Sequence, residues 1–277
     1  MDMGWLESLL YGLLSGFTEF VPVSSQAHGL ILRRLFGCGE SHFLNLMIHF
    51  GMLISLWVTV HPQMDRLRRE RRLASIPKRR RKRQPDAIAL MDDRLLRTAA
   101  VPMLLMFLAF TAMDKVSGDL LRISVLFILN GIILYVPRLR PSGNKDSRML
   151  TPFDGVIFGL VSGFGILPGF SRMGAYMSVA CLRGADRQHS LGMALILGIP
   201  ALAAMLVMDL VWLILAGFAG FSLILVLKGI LAATAAYIGT WFGITFVRFL
   251  SVKKGYSVFA YYCWGAALFV FILYLMI

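Results

Sequence analysis

Six long apolar segments restrict this chain to a bundle of membrane-spanning helices. Their residues are 43–60, 98–113, 120–137, 189–216, 220–247 and 257–277. Each is close to the length of about 20 apolar residues that a helix needs to cross a bilayer. Hydrophobic residues make up 58% of the 277-residue chain, which agrees with that assignment. We therefore predict an all-α integral membrane protein in which residues 1–277 form a single membrane domain.

Two further apolar segments are interrupted by proline and by polar side chains. Residues 4–36 are interrupted at Pro22, and residues 152–182 are interrupted at Pro168. Proline breaks a helix because it lacks an N–H group and its ring clashes with the preceding turn. The backbone N–H and C=O groups freed by such a break are tolerated at membrane depth only where protein or trapped water provides hydrogen-bond partners for them. We therefore predict two re-entrant helical hairpins, each with its polar residues at the tip.

The order of these segments repeats along the chain. Residues 1–137 contain one predicted hairpin and three of the six transmembrane helices, and residues 152–277 contain the same set again. An odd number of crossings in the first half makes the second half enter the membrane from the opposite face. The pattern predicts an inverted-topology repeat, in which the interrupted segments of the two halves meet near the midplane.

Positive charge is concentrated in the loops that this layout puts on one side. The loop 61–97 holds 13 of the 28 Lys and Arg residues, and the loops 138–151, 183–188 and 248–256 hold 4, 2 and 3 more. The opposite side receives Lys115 and little else. By the positive-inside tendency these loops are cytoplasmic and both termini lie outside. The net charge of +13 therefore does not indicate a nucleic-acid partner, although the loop 61–97 could also bind anionic lipid headgroups.

Side chains at the two facing tips are suited to the hydrolysis of a phosphoanhydride. They are a carboxylate, a hydroxyl, an imidazole and a guanidinium, from Glu19, Ser25, His28 and Arg172. The first three could supply a general base, a nucleophile and a second base, and the planar guanidinium suits a phosphate held by two hydrogen bonds. Small residues at 169 and 174 leave room for backbone N–H groups to approach an anion. The nucleophile, a side chain or water, stays open.

Each of these residues also has a simpler structural interpretation. A Ser–Ser pair in a membrane segment usually bonds to a carbonyl, and a single His is usually a satisfied polar side chain. Arg172 would then only neutralise Glu19. We interpret His49 as a structural or supporting group, and Asp209 as an interface residue without a role in the site.

Two motifs resemble the signatures of a known family. Residues 18–28 (TEFVPVSSQAH) resemble the first signature of the undecaprenyl-diphosphate phosphatases, also called bacitracin-resistance proteins, and residues 168–175 (PGFSRMGA) resemble the second. Weaker similarity at 48–51 and 199–201 extends the resemblance over most of the chain. It implies an enzyme of the bacterial inner (plasma) membrane that removes the terminal phosphate of undecaprenyl diphosphate, an isoprenoid lipid diphosphate. Such an enzyme recycles the lipid carrier of cell-wall synthesis.

The resemblance also implies roles for individual residues. The expected catalytic residues are Glu19, Ser25, His28 and Arg172. The expected substrate-binding residues are Ser24, Gln26, Gly169, Ser171 and Gly174. A divalent cation, Mg²⁺ or Ca²⁺, is expected as a cofactor, with Glu19 as its candidate ligand. We also expect a site that opens to the outer face, contacts with membrane lipids and, as one candidate assembly, a homodimer.

Four positions depart from the family signatures. Ser15 stands where the family usually has a second Glu, Gln26-Ala27 replace a Thr or Ser followed by Gly, and Met173 replaces a Ser. A pair of carboxylates could hold a metal or divide the acid and base roles, and one carboxylate does each less well. These changes leave a second hypothesis, in which the protein is a weakly catalytic or non-catalytic transporter or flippase of undecaprenyl phosphate.

Overall fold

The computed structural model describes residues 3–112, 119–139, 143–217, 221–253 and 256–276. Within these residues the chain is mostly helical and contains no β-strand, which confirms the predicted all-α class. Lys115, the charge expected on the outer side, lies outside the described residues. In chain order the ten described α-helices are α1 (Trp5–Phe20), α2 (Ser25–Leu35), α3 (His42–Ser75), α4 (Ala87–Ala112), α5 (Leu120–Tyr135), α6 (Pro152–Gly163), α7 (Arg172–Leu182), α8 (Arg187–Leu215), α9 (Leu223–Lys253) and α10 (Ser257–Met276).

Six of the described helices are long and apolar enough to cross a membrane, namely α3, α4, α5, α8, α9 and α10. The span of α5 includes a 3₁₀ turn that continues the helix to Leu139, which gives it 20 residues. Each of them contains most of one of the six apolar segments predicted to span the bilayer. Their outward faces carry large exposed apolar side chains, such as Leu105, Leu108 and Leu215, as a surface against lipid requires. The six-span prediction is therefore confirmed for the part of the chain that the structure describes.

The basic segment 61–97 differs from its prediction as a loop. Helix α3 continues as far as Ser75, and α4 already begins at Ala87, so the connection is only residues 76–86. Two ion pairs join the helical extensions to this connection, Arg66 with Asp86 and Glu70 with Arg83. The prediction of a loop over the whole of 61–97 was wrong because Arg, Glu and Leu are good helix formers, so a run of charge does not by itself end a helix.

Four shorter helices form two pairs, α1 with α2 and α6 with α7. They contain 16, 11, 12 and 11 residues, fewer than a crossing of the bilayer needs. The first pair is joined at residues 21–24, which we call the first tip. The second pair is joined by a 3₁₀ turn, Phe164–Ile166, followed by residues 167–171, which we call the second tip. These breaks contain Pro22 and Pro168, where the sequence analysis expected them. Entry of the two pairs into the membrane as re-entrant hairpins stays a prediction.

Glycines allow the hairpin helices to approach neighbouring backbones closely, as small residues do in membrane bundles. A Cβ added at Gly16 of α1 would lie 2.2 Å from the Ala236 carbonyl oxygen of α9. A Cβ added at Gly159 of α6 would likewise lie 2.1 Å from the Ala99 carbonyl oxygen of α4. Larger residues at these positions would force the helices apart, so glycine sets how tightly each hairpin is held.

The two halves of the chain pack against one another. Helix α1 of the first half packs on α9 of the second, and α6 of the second half packs on α4 of the first. In addition, α3 packs on α8 and α5 packs on α10. Exchanging equivalent helices of the two halves leaves this set of pairs unchanged, as a structural repeat requires. The boundaries 1–137 and 152–277 and the inverted orientation of the second half stay predictions.

Candidate active site

The first tip and the second tip contact one another inside the bundle. The Gly169 backbone N–H donates a buried hydrogen bond of 2.9 Å to Ser24 Oγ. Ser24 has φ +67°, a conformation that costs free energy in a non-glycine residue. Its side-chain bond to the second tip and the bonds to its carbonyl oxygen hold it there. The residues that sequence analysis assigned to two facing tips are therefore brought together.

Asn130 of α5 links the two tips and was not identified from the sequence. Its Nδ2 donates to the Pro22 carbonyl oxygen at 3.1 Å, and its Oδ1 accepts from the Ser171 backbone N–H at 3.0 Å. Asn130 is completely buried, so these bonds satisfy an amide that would be costly to bury unpaired. The available signal was a lone amide in the apolar segment 120–137, because polar side chains in such segments usually bond to neighbouring helices.

Glu19 lies at the centre of the site and binds a side chain from each helix pair. Ser25 Oγ donates to Glu19 Oε2, and Arg172 Nη2 donates to Glu19 Oε1 at 3.1 Å. Glu19 and Arg172 are only 8% and 4% exposed. A buried charge is tolerated where it is paired and hydrogen-bonded, which this three-residue cluster achieves. Sequence analysis had identified all three residues.

Arg172 keeps donor capacity that the cluster does not use. Its Nε is buried without a hydrogen-bond partner among the described residues, and its Nη1 is 3.5 Å from the Ala194 carbonyl oxygen, a weak contact. The guanidinium carbon also lies 5.8 Å from the centre of the Phe20 ring. Arg172 is therefore paired with Glu19, as the simpler structural interpretation expected. It also has an N–H group that can donate to an acceptor on a bound ligand.

His28 faces α10 instead of the carboxylate of Glu19. Its Nδ1 lies 2.7 Å from the Ser24 carbonyl oxygen, which can only accept, so Nδ1 carries the proton. Its Nε2 lies 2.6 Å from the Tyr262 hydroxyl, which then donates to it. The two rings are stacked with their centres 5.7 Å apart. Both ring nitrogens are engaged, so a catalytic role for His28 stays a prediction that would need these bonds to be exchanged.

The substrate-binding residues predicted from the sequence fall into two groups. Ser24, Gly169, Ser171 and Gly174 lie where the tips meet. Gly169 bonds to Ser24, Ser171 bonds to Asn130, and the Gly174 N–H donates to Ser171 Oγ at 3.2 Å. The N–H groups of both glycines are thus used within the protein, and anion binding by them stays a prediction. Gln26 instead faces open space beside the cluster.

Two adjoining cavities connect the cluster to the surface. The larger, of about 440 Å³, extends from Pro168 of the second tip to the first turns of α3 and the last turns of α4 and α8. The smaller, of about 50 Å³, is lined by Ser15 and Ser25. Five polar residues line both cavities: Gln26, Arg33, Glu40, Asn45 and His49. A molecule in the larger cavity therefore has a polar path to Ser25.

A second ionisable pair, His49 of α3 and Asp209 of α8, lines the larger cavity. His49 Nδ1 lies 2.5 Å from Asp209 Oδ2, and the two side chains are 15% and 12% exposed. The sequence analysis gave Asp209 no role in the site. The signal was present, because ionisable side chains inside apolar segments mark functional sites by default.

The residues around Glu19 do not fit a cation held by the protein. The described residues contain no group of three His, Cys, Asp or Glu side chains placed to share a metal ion. Glu19 already binds Ser25 and the positively charged Arg172, and Ser15 supplies only a hydroxyl nearby. Mg²⁺ and Ca²⁺ prefer several oxygen ligands, with carboxylates among them. No step of the reaction is therefore assigned to the expected divalent cation.

Comparison with known proteins gives one consistent result. Residues 8–269 match the family described as bacitracin resistance protein BacA. A protein of Carboxydothermus hydrogenoformans named undecaprenyl-diphosphatase is 30% identical over 268 residues, which cover 95% of this chain and 94% of that protein. Proteins of Alkaliphilus metalliredigens and Bacillus cereus, named undecaprenyl-diphosphatase and undecaprenyl-diphosphatase 3, are each 27% identical. Those matches cover 95% and 98% of this chain and 96% and 98% of the relatives.

Proposed function

This chain belongs to the bacitracin resistance protein family, and from that membership we propose that it hydrolyses undecaprenyl diphosphate to undecaprenyl phosphate and inorganic phosphate. The relatives that match it over nearly their whole length carry the name of this activity. The observation that carries the proposal is the buried cluster in which Glu19 binds both Ser25 and Arg172. Such a cluster supplies a base, a nucleophile and a positive charge at one place.

In the first step of the proposed reaction, Ser25 attacks the terminal phosphorus. Because the Ser25 hydroxyl already donates to Glu19, the carboxylate accepts that proton as the Oγ–P bond forms. The bond between phosphorus and the bridging oxygen breaks, and undecaprenyl phosphate leaves with the electron pair. Arg172 pairs with Glu19 through Nη2, and its Nε–H is available to a phosphoryl oxygen.

In the second step, water attacks the phosphoserine formed at Ser25. A new O–P bond forms, the Oγ–P bond breaks, and Ser25 Oγ recovers its proton from the Glu19 carboxyl group. The product is inorganic phosphate, and the cluster returns to its starting state. His28 fits a positioning role, because its Nδ1–H holds the Ser24 carbonyl oxygen one residue before the nucleophile.

Phosphate release from undecaprenyl diphosphate by the purified protein tests this function. We expect one phosphate for each undecaprenyl phosphate formed, and none when undecaprenyl phosphate is supplied as the control substrate. Parallel reactions with Mg²⁺, with Ca²⁺ and with a chelator test the cation requirement separately. If no condition releases phosphate above the no-protein control, the proposed hydrolysis is wrong and transport of the lipid phosphate takes its place.

The orientation of the site is a further part of the proposal. The basic residues of the connection 76–86 support a cytoplasmic position for that segment. The first turn of α3 and the last turn of α8, where the larger cavity opens, are then on the outer face. Undecaprenyl diphosphate would reach the cluster from the outer leaflet of the plasma membrane.

Cysteine labelling in intact cells tests this orientation. With Cys181 and Cys263 replaced by serine, the native Cys38 is expected to react with a membrane-impermeant maleimide added outside. In a second protein Cys38 is also replaced and Lys82→Cys supplies the only thiol in the exposed basic connection. That thiol should react only after the cells are opened. Labelling of Lys82→Cys from outside, with Cys38 protected, would show the reverse orientation.

A further inference from the structure

We propose that His49 and Asp209 are the proton-accepting pair for the second step, in which His49 receives the proton of the attacking water and Asp209 is the positioning residue. The proposal rests on the hydrolysis proposed above and deepens it. The two residues come from different spanning helices, α3 and α8, and meet at the wall of the larger cavity. Neither belongs to the signature motifs at residues 18–28 and 168–175.

The hydrogen bond between the two residues fixes the state of the imidazole. A carboxylate oxygen can only accept, so the Nδ1 atom that faces Asp209 Oδ2 at 2.5 Å carries a proton. In neutral His49 the other nitrogen, Nε2, is then unprotonated and able to act as a base. A carboxylate behind a histidine orients the ring and stabilises the imidazolium that forms when the base takes a proton.

The position of His49 suits a water that attacks at Ser25. His49 lines the larger cavity, through which water enters, and it also lines the smaller cavity together with Ser25 and Gln26. His28 is less suitable, because its Nε2 already accepts from the Tyr262 hydroxyl. His42 lines only the larger cavity, whereas His49 lines both. His49 therefore places a basic nitrogen nearer to the nucleophile along this path.

A base other than Glu19 is needed if the attacking water is to lose a proton as the new O–P bond forms. After the first step Glu19 holds the proton of Ser25 and must return it to Oγ as the Oγ–P bond breaks. It cannot accept a proton from water in the same event. With His49 as acceptor, the water proton moves to Nε2, the new O–P bond forms, and the imidazolium later loses its proton to water in the larger cavity. A single carboxylate then suffices where Ser15 replaces the second Glu of the family signature.

Other charged groups line the cavity that contains the pair. Arg33 of α2 and Glu40 line it together with His49 and Asp209, and Arg33 is paired with Glu40 at 3.3 Å. His42 lines the same cavity about two turns from His49 on α3. Because the positive charge of Arg33 is matched by Glu40, Asp209 is the charged group that contacts the imidazole directly.

The test measures the two products separately in His49→Gln, which keeps a polar side chain of similar size but has no basic nitrogen. We expect kcat for phosphate release to fall about 100-fold or more, the usual contribution of a general base. The ratio kcat/KM should change less than about threefold, because it depends on binding and on the first step alone. Mixing with substrate should give a burst of one undecaprenyl phosphate per protein, and Ser25 should accumulate as phosphoserine detectable by mass spectrometry. Asp209→Asn should show a smaller burst and an intermediate loss of kcat.

His61→Gln, in the same helix but outside both cavities, is the control and should behave as wild type. A purely structural pair would lower thermal stability and both product rates together, without a burst, and that result would overturn the proposal. Unchanged kcat in His49→Gln would also overturn it. If His49→Gln does not fold, the burst of undecaprenyl phosphate is measured in Asp209→Asn instead, and its absence there would overturn the proposal. Failure of wild-type protein to release phosphate would instead overturn the proposed function itself.

Discussion

Ser25→Ala is expected to lower phosphate release by about 10³-fold or more, because it removes the proposed nucleophile. That loss corresponds to about 4 kcal/mol of transition-state stabilisation. Binding of the lipid diphosphate should change little, since Arg172 and the cavity residue Gln26 remain. Turnover and substrate affinity measured on the same preparation, together with the absence of a phosphorylated serine, check the result.

Ser8→Ala provides the matched control for that substitution. Ser8 is a fully buried serine on α1, and its Oγ donates to the Gly4 carbonyl oxygen at the start of the same helix at 2.7 Å. Removing this hydroxyl should leave turnover close to that of wild type. If Ser25→Ala keeps a tenth or more of the wild-type rate, water attacks the diphosphate directly and the covalent step is wrong. The hydrolytic function would survive that outcome.

The layout of helices was largely predictable because its signals are local. The length of an apolar run indicates whether a helix can cross the bilayer, and a proline inside such a run indicates where the helix breaks. Glu19, Ser25 and Arg172 were likewise visible as polar residues beside those breaks. Their close contact could be expected, because isolated polar tips in a membrane must find partners in one another.

The partners that complete the site were not predictable from local pattern. His49 and Asp209 are separated by 160 positions, and Asn130 reaches backbone groups 108 and 41 positions away. Each is a polar residue within an apolar stretch of helix. The residues next to it in sequence do not indicate which helix it will face. The direction of His28 was missed for a related reason. Its place near Glu19 in sequence does not reveal that α10 supplies Tyr262 as a closer partner.

Charge removal at Arg172 is expected to have the largest effect on stability. Arg172→Met leaves the buried Glu19 without its positively charged partner, and breaking a buried ion pair in this way costs about 3–5 kcal/mol. Glu19→Gln leaves the arginine unpaired and should cost a similar amount. The double variant Glu19→Gln/Arg172→Met removes both charges together, so most of the lost stability should return. Thermal unfolding of the four proteins in one detergent measures the free-energy coupling directly.

An exposed ion pair provides the control for these single and double variants. Arg148 and Asp146 lie 2.6 Å apart with side chains 56% and 27% exposed, so Arg148→Met should leave the unfolding temperature almost unchanged. If the effects of Arg172→Met and Glu19→Gln simply add in the double variant, the two charges do not stabilise one another. A double variant that is stable yet releases no phosphate would separate the two roles of Glu19. The pairing of Glu19 with Arg172 would then stabilise the fold, and its contact with Ser25 would serve catalysis.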